Sequence, residues 1–198
     1  MKIDCIMKKS FYLINLITLY RLVAALVLVI LIFNKKFDLF KWLLALSFFT
    51  DLIDGFLARK FKVSSILGSR LDSIADDSTV VAALIGLFVF KPDFIQEEMN
   101  FLLGLFVLFL FQNVIAIIKY RKMTSFHTYL AKISAVLQGV FFILIFLLPQ
   151  PVYVLFYLAG LFTVLDLMEE IVLIIILPKW EADVKGLYFV WKRKSSEG

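Results

Sequence analysis

Six apolar runs of about twenty residues each constrain this chain more than any other feature: 11–33, 40–58, 67–90, 100–119, 128–148 and 152–177. Roughly 20 residues of helix cross the hydrocarbon core of a bilayer. Only helices and closed barrels satisfy their backbone there, and runs that are continuous rather than alternating are helical. Of the 198 residues, 62% are hydrophobic and 22 are Phe, against about 45–50% apolar in a soluble domain. A chain of this size has too little interior to hide that surface, so lipid must cover part of it. The fold expected is an all-α integral membrane protein, a bundle of about six transmembrane helices with a polar cavity facing the cytoplasm.

The connections at 34–39, 59–66, 91–99 and 120–127, and the turn Pro149-Gln150-Pro151, are short and polar, with no linker or repeat. Residues 11–177 therefore read as one six-helix domain, followed by a polar tail, 178–198. Residues 1–10 place Ile3, Ile6 and Met7 against Lys2, Lys8 and Lys9, which fits either a short interfacial helix or a frayed end. The run after Lys9 is long for a signal peptide and no small-residue cleavage pattern follows, so it reads as a retained first helix. Most of the 21 Lys and Arg fall at the N-terminus, in 59–70, in 119–132 and in the tail; the opposite loops carry Lys35, Lys36, Lys41 and Lys91. The bias puts both termini in the cytoplasm. One Cys (Cys5) and one His (His127) exclude an intrachain disulfide and argue against zinc. The net charge of +5 fits topology and anionic membrane lipids rather than nucleic acid.

Against this background stand four aspartates at the ends of two adjoining runs. Asp51 and Asp54 are three residues apart, and Asp72 and Asp76 are four apart, so each pair shares one face of its helix. The short loop between the helices makes them antiparallel neighbours and lets the pairs converge. Four carboxylates in a low dielectric cannot all ionise without compensation. Their hard oxygens suit Mg²⁺ or Mn²⁺, and two such ions would clamp a pyrophosphate. Gly55, Ala58 and Gly68 allow close approach, and Arg59 offers a two-point grip on phosphate. A solvated helix end would account for one or two of these acids, but not for two matched pairs with glycines alongside.

These residues resemble the signature of the CDP-alcohol phosphotransferase family of integral membrane enzymes, D-x2-D-G-x2-A-R-x8-G-x3-D-x3-D. Asp51, Asp54, Gly55, Ala58, Arg59, Gly68, Asp72 and Asp76 fill every fixed position. The resemblance implies a transferase of phospholipid biosynthesis in a bacterial inner membrane, with two divalent ions. An acceptor hydroxyl attacks the β-phosphorus of CDP-diacylglycerol and CMP leaves. It implies that Asp51, Asp54 and Asp72 hold one ion, that Asp51, Asp72 and Asp76 hold the second, and that Asp76 takes the hydroxyl proton. Gly55, Ala58, Arg59, Ser65, Gly68, Asn15 and Thr18 would contact the donor. It further implies a homodimer within the membrane. Asp77 departs from the basic residue that many relatives carry after the last aspartate.

Two shorter signals bear on the acceptor. Asn15, Thr18 and Arg21 form an N-x-x-T-x-x-R opening similar to that of glycerophosphate-using members. Lys132 with Gln138 resembles an element of phosphatidylglycerophosphate synthases and eukaryotic-type cardiolipin synthases, although Ser134 and Ala135 replace residues often found there. Arg70, Lys119, Arg121 and Lys132 are the cations expected to meet an acceptor phosphate. Glycerol 3-phosphate is the leading acceptor; phosphatidylglycerol, inositol phosphate, inositol and serine stay open. Asp166, Glu169 and Glu170 form a further acidic cluster within the last run. They read either as a structural polar contact, with Arg21 and Lys132 as partners, or as part of the acceptor pocket. A small metal-ion carrier is the competing class, but its acids should be spread through the bilayer or sit in related halves.

Overall fold

The computed structural model describes residues 19–61, 66–122, 124, 126, 128–181 and 184–197, leaving aside the side chains of 52, 54–61, 66–73, 76, 77, 194, 196 and 197. All regular structure among the described residues is helical: α1 (Leu19–Phe33), α2 (Phe37–Phe61), α3 (Ile66–Phe90), α4 (Pro92–Tyr120), α5 (Tyr129–Leu147), α6 (Tyr153–Ile176) and α7 (Leu187–Glu197). Each apolar run is helical over its described part, save residues 128, 148, 152 and 177 at the ends of the last two. By length and composition α4 and α5 are long and apolar enough to cross a membrane. Residues 1–10, which fit either an interfacial helix or a frayed end, lie outside the described residues. The helices fall into two compact units, Met1–Ile95 and Gln96–Gly198.

In the first unit α1 buries Arg21, Ala24, Ala25, Leu28 and Ile32, a stripe at helical spacing. A tight turn follows, in which Lys35 takes φ 53° and the amide of Lys36 donates to the carbonyl of Leu31. α2 then returns with Phe40, Leu44 and Ser47 buried. On α3 the buried stripe is small where α2 approaches: Ala75, Thr79, Ala82 and Ala83. At Gly86 a Cβ atom would stand 2.3 Å from the tip of the Phe40 ring, so only glycine leaves room for that ring. Phe37 and Phe40 also pack on Phe90, with ring centroids 5.2 and 5.1 Å away.

In the second unit α5 and α6 are antiparallel, and α4 reaches α6 through long side chains. At one end the Tyr153 hydroxyl donates to Glu97 and the Tyr157 hydroxyl to Glu98, each at 2.6 Å. Above them the Phe101 ring lies over Gly160, where a Cβ would meet it at 2.4 Å. Midway, Gln138 donates to Thr163 (2.7 Å) and Ser134 (3.1 Å), a polar contact between α5 and α6. Beyond Pro178, where the sequence reads as a polar tail, the chain forms α7, and Val184 and Val190 join a core with Ala116, Phe126, Leu173, Ile174 and Leu177.

Candidate active site

The register of the α2–α3 hairpin decides how the four aspartates stand. α2 and α3 meet in antiparallel contact, Phe40 on Gly86 and Phe37 on Phe90. Counting along both helices from these contacts sets each position of α2 against its level position on α3. By the same count position 51 is level with 76, and position 54 with 72–73. Both helices are unbroken through these positions, so the i,i+3 and i,i+4 spacings hold. The side chains of Asp54, Asp72 and Asp76 lie outside the described residues, as do those of Ala58, Arg59, Arg70 and Asp77. Asn15, Thr18, Ser65 and His127 lie outside altogether.

Asp51 is the motif aspartate whose side chain is described. An Arg21 Nη1 lies 2.8 Å from its Oδ1. Arg21 is 1% exposed and Asp51 40% exposed. A guanidinium on the buried stripe of α1 requires a counter-charge, because an unpaired buried charge is strongly destabilising. Asp51 provides it while keeping contact with solvent. By sequence Arg21 is a possible partner of the acidic cluster on α6; its described ion pair is with Asp51. The physical reason is the α1–α2 hairpin: Arg21 and Asp51 lie nearly the same number of residues from the turn at Lys35, and helices of equal rise bring them level. Counting back from that turn in the sequence would have found the pair.

The acidic cluster on α6 has other partners. Glu170 accepts from Gln112 of α4 (2.6 Å) and from Thr124 (3.0 Å). Asp166 accepts from the hydroxyl of Thr128 (3.3 Å), whose oxygen in turn accepts from the amide of Ala131 and caps α5. Glu169 accepts from the amide of Leu187 (2.9 Å), at the first turn of α7. Lys132, the other expected partner, instead lies 5.5 Å over the ring of Tyr129. The three acids therefore act as anchors for the segment after α4, for α5 and for α7.

The expected acceptor cations divide in the same way. Lys119 donates to the carbonyls of Ile174 (2.8 Å) and Ile175 (3.1 Å), satisfying the C-terminal end of α6 together with the Tyr120 hydroxyl. Arg121 ends α4 in a left-handed conformation, φ 56°, and is exposed, as is Lys132.

Comparison with known proteins gives one decisive result. The sequence model of the CDP-alcohol phosphatidyltransferase family matches residues 11–176. The chain belongs to this family. It is a transferase of phospholipid synthesis, acting on a CDP-alcohol. No curated protein and no solved structure matches it. The match spans α1 to α6 and so takes in both hairpins that carry the aspartates and Arg21. Family members use divalent metals. Among the described residues no group of three His, Cys, Asp or Glu side chains forms a metal site. The aspartates of the motif suit such ions in chemistry: all are carboxylates, and Asp51 is held by a guanidinium yet still reaches solvent.

Proposed function

We propose that the chain transfers the phosphatidyl group of CDP-diacylglycerol to an alcohol and releases CMP, within a bundle of about six membrane-spanning helices whose catalytic end faces the cytoplasm. The observation that carries this reading is the hairpin register that sets position 51 level with 76 and 54 level with 72–73 in a chain of this family. Asp51, Asp54 and Asp72 would hold one Mg²⁺ or Mn²⁺ ion, and Asp51, Asp72 and Asp76 a second. When bound, these ions neutralise the pyrophosphate and the departing CMP.

The chain's own groups do the rest. Asp76 takes the proton as the acceptor oxygen bonds to the β-phosphorus and the bond to CMP breaks. Gly55, Ala58 and Gly68 leave room for the donor, and Arg59 grips its phosphate. Asn15, Thr18 and Ser65 complete the donor contacts. Arg21 fixes one oxygen of Asp51 and adds positive charge to an acidic site. The acceptor best supported by the N-x-x-T-x-x-R and Lys132–Gln138 resemblances is glycerol 3-phosphate, met by the exposed Lys132 and Arg121 with Arg70. A homodimer that buries part of the exposed apolar helix faces belongs to the same proposal.

Purified protein in active lipid, given CDP-diacylglycerol, Mn²⁺ or Mg²⁺ and a panel of alcohols, should release CMP with one of them. Mass spectrometry of the product then names the acceptor. Absence of CMP with every alcohol would sink the reading and leave an ion carrier as the explanation of the aspartates.

A further inference from the structure

The end of the second unit that carries α7 is built differently from the rest. Thr128 caps α5 and bonds Asp166, so Asp166 of α6 is level with the first turn of α5. The ten residues of α6 that follow run about 15 Å past that level. The last turns of α4 accompany them, tied by Gln112 to Glu170 and by Lys119 to the carbonyls of Ile174 and Ile175. α5 is of membrane length and apolar. Amide, hydroxyl and backbone N–H donors hold the acids of α6 at this end.

α7 lies along this projection. Its Val190 is buried among Leu173, Ile174, Leu177 and Ala116, and Leu187 packs on the same cluster. Glu169 holds its first turn through the Leu187 amide. That fixes the start of α7 close to the level at which α5 begins. Arg193 is clamped to Glu181 by paired 3.0 Å hydrogen bonds, which ties the middle of the helix to the connection before it.

The other side of α7 is unlike a solvated surface. Tyr188, Trp191, Lys192 and Ser195 follow one another at i, i+3, i+4 and i+7, a single stripe. Tyr188 is 64% exposed and Trp191 72% exposed. Trp180 stands exposed at the same end with the Lys122 ammonium 5.1 Å over its ring. Large amphipathic rings interleaved with lysines are the composition of a membrane–water interface, where rings sit at headgroup level and cations meet lipid phosphates.

We propose that α7 is an interfacial helix, seated on the membrane surface at which α5 begins, whose Tyr188–Trp191–Lys192 stripe docks on anionic lipid headgroups. The inference rests on the membrane reading of α4 and α5 and is independent of the transfer reaction. Its exposed rings, beside the start of an apolar helix of membrane length, favour lipid over a soluble partner. Its charge favours anionic lipid over zwitterionic.

The test uses the full chain carrying Trp42→Phe and Trp180→Phe, so that Trp191 is the remaining tryptophan. It is reconstituted in phosphatidylcholine vesicles with a minor fraction of phosphatidylglycerol. Bromine is placed near the headgroup end of the chains of one lipid or the other. Trp191 emission should be quenched, and more by brominated phosphatidylglycerol than by brominated phosphatidylcholine at equal mole fraction. Lys192→Gln should lower that preference by about fivefold, the effect of one basic charge at a surface. Emission unquenched by either lipid, from water or from a covering protein surface, overturns the proposal, and so does equal quenching by both. The unsubstituted chain gives an independent readout. Hydrogen exchange across residues 188–195 should slow when phosphatidylglycerol is added, and an unchanged rate counts against anionic docking.

Discussion

Arg21, buried on α1, and Asp51, half-exposed on α2, form an ion pair with 2.8 Å between Nη1 and Oδ1. The pair joins the first helix to the aspartate motif and makes Arg21 a positioning residue for a proposed metal ligand. Removing it leaves Asp51 without the guanidinium that orients it. Arg21→Met should raise the Mn²⁺ concentration needed for half-maximal CMP release by about 10–100-fold. Its cost in stability should be smaller than for a fully buried pair, about 1–2 kcal/mol, because Asp51 keeps solvent. Arg21→Lys should recover part of the metal response, since a point charge replaces the fork. An unchanged Mn²⁺ response in Arg21→Met would assign the pair to folding alone.

The base assigned to Asp76 gives a sharper outcome. Asp76→Asn keeps the size of the side chain and removes both its charge and its proton acceptor. CMP release should fall by roughly 10²–10⁴-fold or more, the range for loss of general base catalysis. Chelation of divalent ions should abolish the activity of the unsubstituted chain and added Mn²⁺ or Mg²⁺ should restore it, while Asp76→Asn stays inactive at any metal concentration. A variant with full activity would remove Asp76 from the mechanism.

The α2–α3 hairpin depends on one glycine. Adding a methyl group at Gly86 meets the Phe40 ring, which is itself fully buried and packed on Phe90. Gly86→Ala should therefore cost about 1–3 kcal/mol, the range for overpacking a filled core. Thermal unfolding in detergent reads the loss. Phe40→Leu in the same chain should return part of it, and the double-mutant cycle should show coupling between the two sites. Additive losses would mean that the ring moves aside freely and does not set the register.

Much of this was legible in the sequence, and the reasons differ from residue to residue. Helix positions followed from apolar runs, since lipid or core on every side leaves no other periodicity. The level placement of Asp51 with Asp76 followed from a short connection between two helices. The partner of Arg21 was not found, because a span treated as a uniform hydrophobic stretch hides which residue is level with which; counting from Lys35 restores it. The partners of the acids on α6 were not legible, because they come from α4, from the segment after it and from α7. Thr128 shows that Asp166 already stands at the start of α5. α7 was missed because Lys192, Arg193 and Lys194 made the tail look polar, while its two buried contacts, Leu187 and Val190, are too few to give a period.

The cations expected at the acceptor separate into structure and recognition. Lys119 completes α6 by donating to two of its final carbonyls, whereas Lys132 is exposed and lies over Tyr129. Lys119→Met should lower the unfolding midpoint, by about 1–2 kcal/mol for hydrogen bonds from a charged donor, with little change in acceptor affinity. Lys132→Met should leave the midpoint in place and raise the KM for a phosphate-bearing acceptor. Equal KM values in Lys132→Met and the unsubstituted chain would take Lys132 out of the acceptor site.

The start of α7 depends on Gly186 and Glu169 together. Gly186 takes φ 143°, a conformation that side chains rarely adopt, and a Cβ there would also come within 3.1 Å of Glu169 Oε1. Gly186→Ala combines backbone strain of order 1–3 kcal/mol with crowding of the carboxylate that caps the helix. Glu169→Gln keeps the shape but removes the negative charge at the N-terminus of α7, worth about 0.3–1 kcal/mol. Both variants should speed hydrogen exchange at Leu187 and the residues after it, Gly186→Ala more than Glu169→Gln, with the exchange of α5 unchanged. If α7 exchanges at the same rate in all three chains, its seat on α6 depends on Val190 and its apolar neighbours and not on the Glu169 cap.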